Sequence, residues 1–454
     1  YGTFAEIGAG QETVRNFFRA GASSGTIAKA MSAYDKDFSD AIYGVEEDGR
    51  YVTESRLKKM LSHEINLVEQ RLSRDKHPNK LFFSYANTVA TIDFAKQFKG
   101  HGWVGIVYQV EPDEDYNEII LHIRFKENDA KLQQETLGTL GVNLIYGAFY
   151  KYNDPKKLLR YLYDHLDKDQ LEIDTINFSG PRFANVDNRL MSLQLVKNGM
   201  TDAVMFGPDG KNILPAAVLY KKNILMMRGR FRPVTKVHID MIESGKRQFL
   251  SESDVTDENM CVVFELTLKD LTADGKISDK DFVDRAELLG LLGYTVMISN
   301  YLKHYKMVDY LASIARGKRM GVILGVYNLH TIFDERYYDN LPGGLLEAFG
   351  RGFGHNVKMF LYPAINVDTG DLYTLKNIKI PNHLKGLLQY LIDNNKMEEI
   401  VDFDPKLLHI MSDDVLSKIK AGAASWEEDV PQEVTDAIKK YDLFGYKNTK
   451  ILQN

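Results

Sequence analysis

Residues 209–247 concentrate positive charge, with nine Lys or Arg against three Asp or Glu. At the centre stands Arg228-Gly229-Arg230-Phe231-Arg232-Pro233-Val234-Thr235-Lys236-Val237-His238. Guanidinium, ammonium, hydroxyl and imidazole groups this close together suit phosphoryl chemistry. Fixed cations and hydrogen-bond donors stabilise the negative charge that builds at a reacting phosphorus. The apolar run Ile224–Met227 reads as a strand, Gly229 and Pro233 as a turn, and the residues from Thr235 as the start of a helix. A helix N-terminus adds oriented N–H groups to such a site. His238 and Thr235 are therefore the candidate catalytic residues. Arg228, Gly229, Arg230 and Lys236 are the candidate phosphate ligands. Arg182, in Ser179-Gly180-Pro181-Arg182, follows another strand and is expected at the same strand-end region. Parallel sheets take ligands outside the carboxyl ends of their strands. The plainer alternative is a strand-to-helix turn with solvated arginines.

Other chemistry finds little support. Gly8-Ala9-Gly10 precedes a helix, but the third glycine of a dinucleotide fingerprint is absent and no strand is expected before it. No Gly-Lys-Ser/Thr element exists, which excludes a P-loop. Asp270–Asp281 imitates a calcium loop, yet Thr272 is a poor third ligand and Asp281 is shorter than the usual Glu. A polar turn leading into a helix is expected there, and no metal site. The eleven histidines are scattered, without His-Glu-x-x-His or paired cysteines, so zinc has no support. No Gly-x-Ser-x-Gly elbow appears.

These residues must be held by elements that the hydropathy pattern locates. Residues 1–75 read as mostly helical, through 11–18 and 53–72, with a small-residue loop at 21–25. Residues 81–85, 103–108 and 119–125 read as strands, the last two pairing antiparallel across a short acidic loop, and a helix follows from 131 to 149. From about residue 171 strands alternate with amphipathic helices. The candidate strands are 173–178, 203–206, 224–227, 261–266, 295–299, 322–326 and 358–362. Most are apolar without alternation, as when both sheet faces are covered. The reading is an α/β fold: a mainly parallel central sheet with helices on its faces, an N-terminal α+β region and a helical C-terminal region. The expected domains are 1–165, 166–375 and 376–454. A doubly wound sheet and a barrel remain open alternatives at this point.

The chain has 454 residues, 44% hydrophobic and 26% charged, ordinary values for a globular protein. Disordered, collagen-like and disulfide-stapled classes are excluded. The net charge of −6 gives no sign of a nucleic-acid partner. The single cysteine, Cys261, lies in an apolar run, reads as an inert thiol and fits a reducing compartment. No apolar run approaches the length of a membrane span. The chain opens on Tyr1, so a processed leader stays open; the expected location is cytoplasmic.

The run Gly229–His238 resembles the first nucleotide-binding motif of the nucleotidylyltransferase superfamily, a Gly-x-Phe-x-Pro turn before a [His/Thr]-x-Gly-His element. Gly229, Phe231, Pro233, Thr235 and His238 fall on motif positions, while Val237 replaces the motif glycine. Ile298-Ser299-Asn300-Tyr301-Leu302-Lys303 begins like that superfamily's second motif but lacks its Thr. Several blocks, among them Phe4–Glu12, Met31–Asp35, Asp40–Gly44, Val186–Gln194 and Leu346–Arg351, resemble an uncharacterised bacterial protein family whose members carry the labels TonB-dependent receptor or nicotinate-nucleotide adenylyltransferase. The first label conflicts with a chain in which helices separate buried-type strands, because a membrane barrel needs many alternating strands. The second label implies binding of a nucleotide or other phosphorylated small molecule, with nucleotidylyltransferase-like chemistry. Whether the chain is an enzyme, and with what cofactor, stays open. The alternative is a non-catalytic self-assembling or scaffolding protein, to which an 11% aromatic content lends contact material. A homo-oligomer is expected on either reading.

Overall fold

The computed structural model describes residues 1–47, 49–271, 278–366 and 369–447. Two compact units emerge, Tyr1–Asp202 and Ala203–Asn454.

The first unit runs β1 (Gly2–Ile7), α1 (Glu12–Ala20), β2 (Ile27–Ala33), α2 (Lys36–Tyr43), α3 (Glu54–Arg71), β3 (Phe83–Ala90), β4 (His101–Tyr108), β5 (Asn117–Phe125), α4 (Ala130–Tyr150), α5 (Pro155–Tyr161), β6 (Leu171–Ser179) and α6 (Asn188–Lys197). Its six-stranded sheet has the order β2-β1-β3-β4-β5-β6. β1 is parallel to β2 and β3, and the β3-to-β6 half is antiparallel. Leu57 and Leu61 of α3 pack at Gly105 on one face. On the other, Gly138 and Gly141 of α4 let Glu12 and Thr13 of α1 approach closely.

Two expectations are corrected here. Residues 1–75 hold the expected helices as α1 and α3, but β1 and β2 lie among them where no strand was expected. β1 is buried throughout and carries Thr3 and Glu6 inward, which erases its hydropathy signal. Thr3 Oγ1 donates to Glu64, and Glu6 accepts backbone N–H groups, so neither burial leaves an orphan. β2, Ile-Ala-Lys-Ala-Met-Ser-Ala, is rich in helix-favouring residues. Residues 173–178, expected in the central sheet, form β6, an antiparallel edge strand of the first unit.

The second unit holds β7 (Ala203–Phe206), β8 (Asn212–Ile213), α7 (Pro215–Leu219), β9 (Asn223–Arg228), α8 (Lys236–Phe249), β10 (Met260–Thr267), α9 (Leu268–Leu271), α10 (Asp279–Leu291), β11 (Thr295–Ser299), α11 (His304–Ala315), β12 (Met320–Gly325), α12 (Asn328–Ile332), α13 (Gly344–Phe353), β13 (Val357–Tyr362), the hairpin β14 (Ala364–Ile365) and β15 (Leu372–Tyr373), α14 (Lys385–Asp393), β16 (Met397–Glu399), α15 (Ser412–Ala421) and α16 (Gln432–Tyr441). Its eight-stranded sheet has the order β16-β13-β12-β9-β10-β11-β7-β8. The six strands from β16 to β11 pair in parallel, whereas β7 and β8 are antiparallel. The sheet is thus mixed, and the expectation of a mainly parallel one describes six of its eight strands.

Numbered in chain order, the parallel strands lie 3-2-1-4-5-6 across an open sheet, the doubly wound order. β9 is the inner first strand, and the order reverses between it and β12. Leu225 meets Phe249 of α8 at Gly321, while Ile224 and Met226 join Leu311 of α11 and Phe349 of α13 on the opposite face. Burial on both faces explains why these strands read as apolar runs. The expected helical C-terminal region contains α14, α15 and α16, but β16 within it completes the sheet.

Candidate functional site

β9 delivers the basic motif to the point of reversal, where a doubly wound sheet opens a crevice at its carboxyl edge. Phe231 turns the chain with φ +44° and buries its ring against Phe264 and His238, with centroids at 5.1 and 5.2 Å. A side chain at Gly229 would collide with that ring, its Cβ lying 2.8 Å from the nearest carbon. Glycine is required there by this close approach.

Thr235 and His238 do converge. Thr235 is fully buried at the N-cap of α8. Its N–H donates to His238 Nδ1 at 3.1 Å, and its hydroxyl lies 3.0 Å from the same nitrogen. The imidazole of His238 closes the box usually closed by Glu or Gln. Burial lowers its pKa to about 4. The ring is therefore neutral at pH 7 and carries its proton on Nε2, which has no partner among the described residues. His238 offers a hydrogen bond and no charge.

The cations divide. Arg228 turns inward, its Nη2 2.9 Å from Glu265 Oε1 and its Nε also on that carboxylate. It donates further to the carbonyls of Tyr301 at 2.7 Å and Leu302 at 3.4 Å. Glu265 is fully buried and takes the Ser299 hydroxyl as well. This cluster ties β9, β10 and the turn after β11 together. Arg230 reaches outward to Asp413 of α15 at 3.2 Å, and Lys236 to the Glu428 carbonyl at 2.7 Å. Arg232 pairs with Asp281 at 2.6 Å.

Arg182 belongs to the first unit, because β6 is not in the same sheet as β9, and it is engaged by Glu114 at 2.6 Å and Glu111 at 3.0 Å. The calcium-like segment falls partly outside the described residues, at 272–277. Its last acid, Asp281, is committed to Arg232 and Arg285. Cys261 is half-buried, and burial raises its thiol to about 11.

Sequence reasoning missed a cleft of about 510 Å³ lined by Asn300, Leu302, Lys303, Lys306, Arg336 and Tyr337, among others. Leu302 joins it to Arg228, and Tyr337 Oη donates to the same Leu302 carbonyl at 2.6 Å. Burial, then Lys269, depress the Lys303 pKa. The signal lay in the Ile298–Lys303 stretch, where a strand ends in a basic residue. Glu265, a lone acid in an apolar strand, gave the other clue. No protein-family model matches the chain, and no curated protein matches it.

Proposed function

We propose that the second unit binds a nucleotide or other phosphorylated small molecule at the carboxyl edge between β9 and β12, with chemistry of the nucleotidylyltransferase kind. The observation that carries this reading is the position of the turn Gly229–His238, directly after the first parallel strand where strand order reverses. The His238 Nε2–H donates to a phosphoryl oxygen, and Arg230 and Lys236 supply charge. The present partner of Arg230 is a weak competitor. An exposed ion pair is worth about 0–1 kcal/mol, and a hydrogen bond to a charged group about 1.5–3 kcal/mol. A phosphate therefore displaces Asp413 from Arg230.

A thermal-shift panel of nucleotides and phosphosugars on wild type and Arg230→Ala tests the proposal. At least one ligand stabilises the wild type, and the variant binds it about 10-fold to 100-fold more weakly. No stabilising ligand, or equal shifts in both proteins, sinks it.

Self-assembly or scaffolding is the second reading. Tyr34, Phe38, Phe94 and Phe98 of the first unit are exposed, and aromatic residues are favoured at interfaces. Light scattering that finds a monomer at high concentration removes its homo-oligomer.

A further inference from the structure

The first unit holds a polar chain outside the site above. β6 carries one residue more than β5 opposite it: His122 pairs with Thr175 and Ile123 with Ile173, which leaves Asp174 in a bulge. Bulges re-aim side chains, and this one aims a buried carboxylate at an imidazole and a guanidinium. Asp174 Oδ1 is 2.6 Å from His122 Nδ1, and Oδ2 is 2.9 Å from Arg124 Nε. Burial would raise its pKa, but His122 and Arg124 together hold it below the usual value. His122 Nε2 lies 3.2 Å from His101 Nδ1. His101 opens β4 opposite Ala90, at the carboxyl edge of β1 and β3. His101 is part-exposed.

The tautomers follow from the buried end. A carboxylate only accepts, so His122 donates from Nδ1, and in the neutral ring Nε2 is a lone pair. His101 must then donate from Nδ1, and its own Nε2 is left as a lone pair with no hydrogen bond among the described residues.

We infer that Asp174, His122 and His101 form a proton relay that takes a proton at His101 Nε2 from the O–H or N–H of a weakly acidic small molecule. The ligand's bond to hydrogen breaks and its electron pair stays on the ligand as an anion. The proton bonds to His101 Nε2, and the proton on His101 Nδ1 passes to His122 Nε2. Positive charge comes to rest on His122 against Asp174, while His101 ends neutral with its tautomer exchanged. His101 itself is a poor resting place for the charge. Burial first, then His122, Arg124 and Arg50, lower its pKa to about 4, and Asp174 offsets this only in part.

Long-range ¹⁵N–¹H spectra of the wild-type chain labelled at histidine test the relay between pH 7 and 5. His101 and His122 both carry Nδ1–H at pH 7. Where the pair takes up a proton, the imidazolium stands at His122 and His101 carries Nε2–H. An Nε2–H on His101 at pH 7, or an imidazolium forming at His101 with His122 unmoved, overturns the proposal. Diethylpyrocarbonate at pH 7, mapped by mass spectrometry, gives a second measure because it attacks the bare nitrogen. His101 reacts in the wild type and at least tenfold more slowly in Asp174→Asn. In that variant Arg124 holds the amide oxygen, so the NH₂ faces His122 and reverses the chain. An unreactive wild-type His101, or equal rates in a folded variant, refutes it; if the variant does not fold, the wild-type spectra decide alone.

Discussion

Each unit has a strand flanked on both sides by parallel neighbours, followed by a glycine turn and a helix, yet the two carboxyl edges are opposite in kind. In the first, the α1 amides of Thr13 and Val14 are taken at 3.3 and 3.0 Å by the chain's own Glu6. Glu6 thus occupies the amides that a phosphate would take, and a strand does precede Gly8-Ala9-Gly10. In the second, a neutral Thr235–His238 box caps α8 and its flanking cations point outward. The histidines mirror this contrast. His101 and His238 are both depressed to about 4. His101 gives its proton inward and shows a lone pair; His238 accepts inward and shows a proton. A depressed pKa alone says little about role, and the inward partner assigns it.

The largest test concerns the buried carboxylates that organise each edge. Glu265→Ala leaves Arg228 mostly buried without its carboxylate. The expected loss is about 3–5 kcal/mol in urea unfolding, the range for breaking a buried pair from one side. A loss below 1 kcal/mol would place Arg228 among the solvated cations and erase its difference from Arg230.

Acid comes next. A neutral native imidazole gains no proton where the unfolded ring does, so stability is complete above about pH 6.5, falls toward pH 4 and levels once the native ring titrates too. From 6.5 to about 4, His101 and His238 each account for about 2–3 kcal/mol, allowing for their exposed edges. His304, lowered to about 3 by burial and then Arg228, acts in the same direction. Urea midpoints at pH 7 and 4.5 should converge by that amount in His238→Gln and in His101→Gln. Unchanged convergence in either variant would break the parallel between the two rings.

Glu6→Gln should cost less, about 1–3 kcal/mol, because one donor among Thr13, Val14 and Asn87 loses its acceptor. If it costs as much as Glu265→Ala, the first edge is held by charge as strongly as the second.

Much of this was legible beforehand. The apolar runs located β9 to β13, and the composition of Gly229–His238 located the turn at the reversal. What stayed hidden follows from polar burial. β1 carries Glu6 inward, satisfied by Asn87 far along the chain, so local hydropathy misjudges it; residues 173–178 read as a strand, but their place in the first sheet did not show. The bulge that aims Asp174 leaves no sequence trace. Arg228 and Arg230 are two residues apart with the same side chain. Arg230 lies past the end of β9, and only the turn there and the distant Glu265 and Asp413 send one inward and the other out.

The smallest effect is the sharpest probe of that division. Asp413 is 74% exposed and Arg230 37%, so their pair is screened and contributes at most about 1 kcal/mol. Asp413→Asn removes the carboxylate that competes with a ligand for Arg230 and leaves the guanidinium in place. Affinity for the phosphorylated ligand should rise about 2-fold to 5-fold, with unfolding stability unchanged. Added salt should shrink the gain, because screening already weakens the Arg230–Asp413 pair in the wild type. Isothermal titration of both proteins at low and moderate salt measures it. A fall in affinity would instead make Asp413 part of the ligand site, and the outward cation would then need its carboxylate as the inward one needs Glu265.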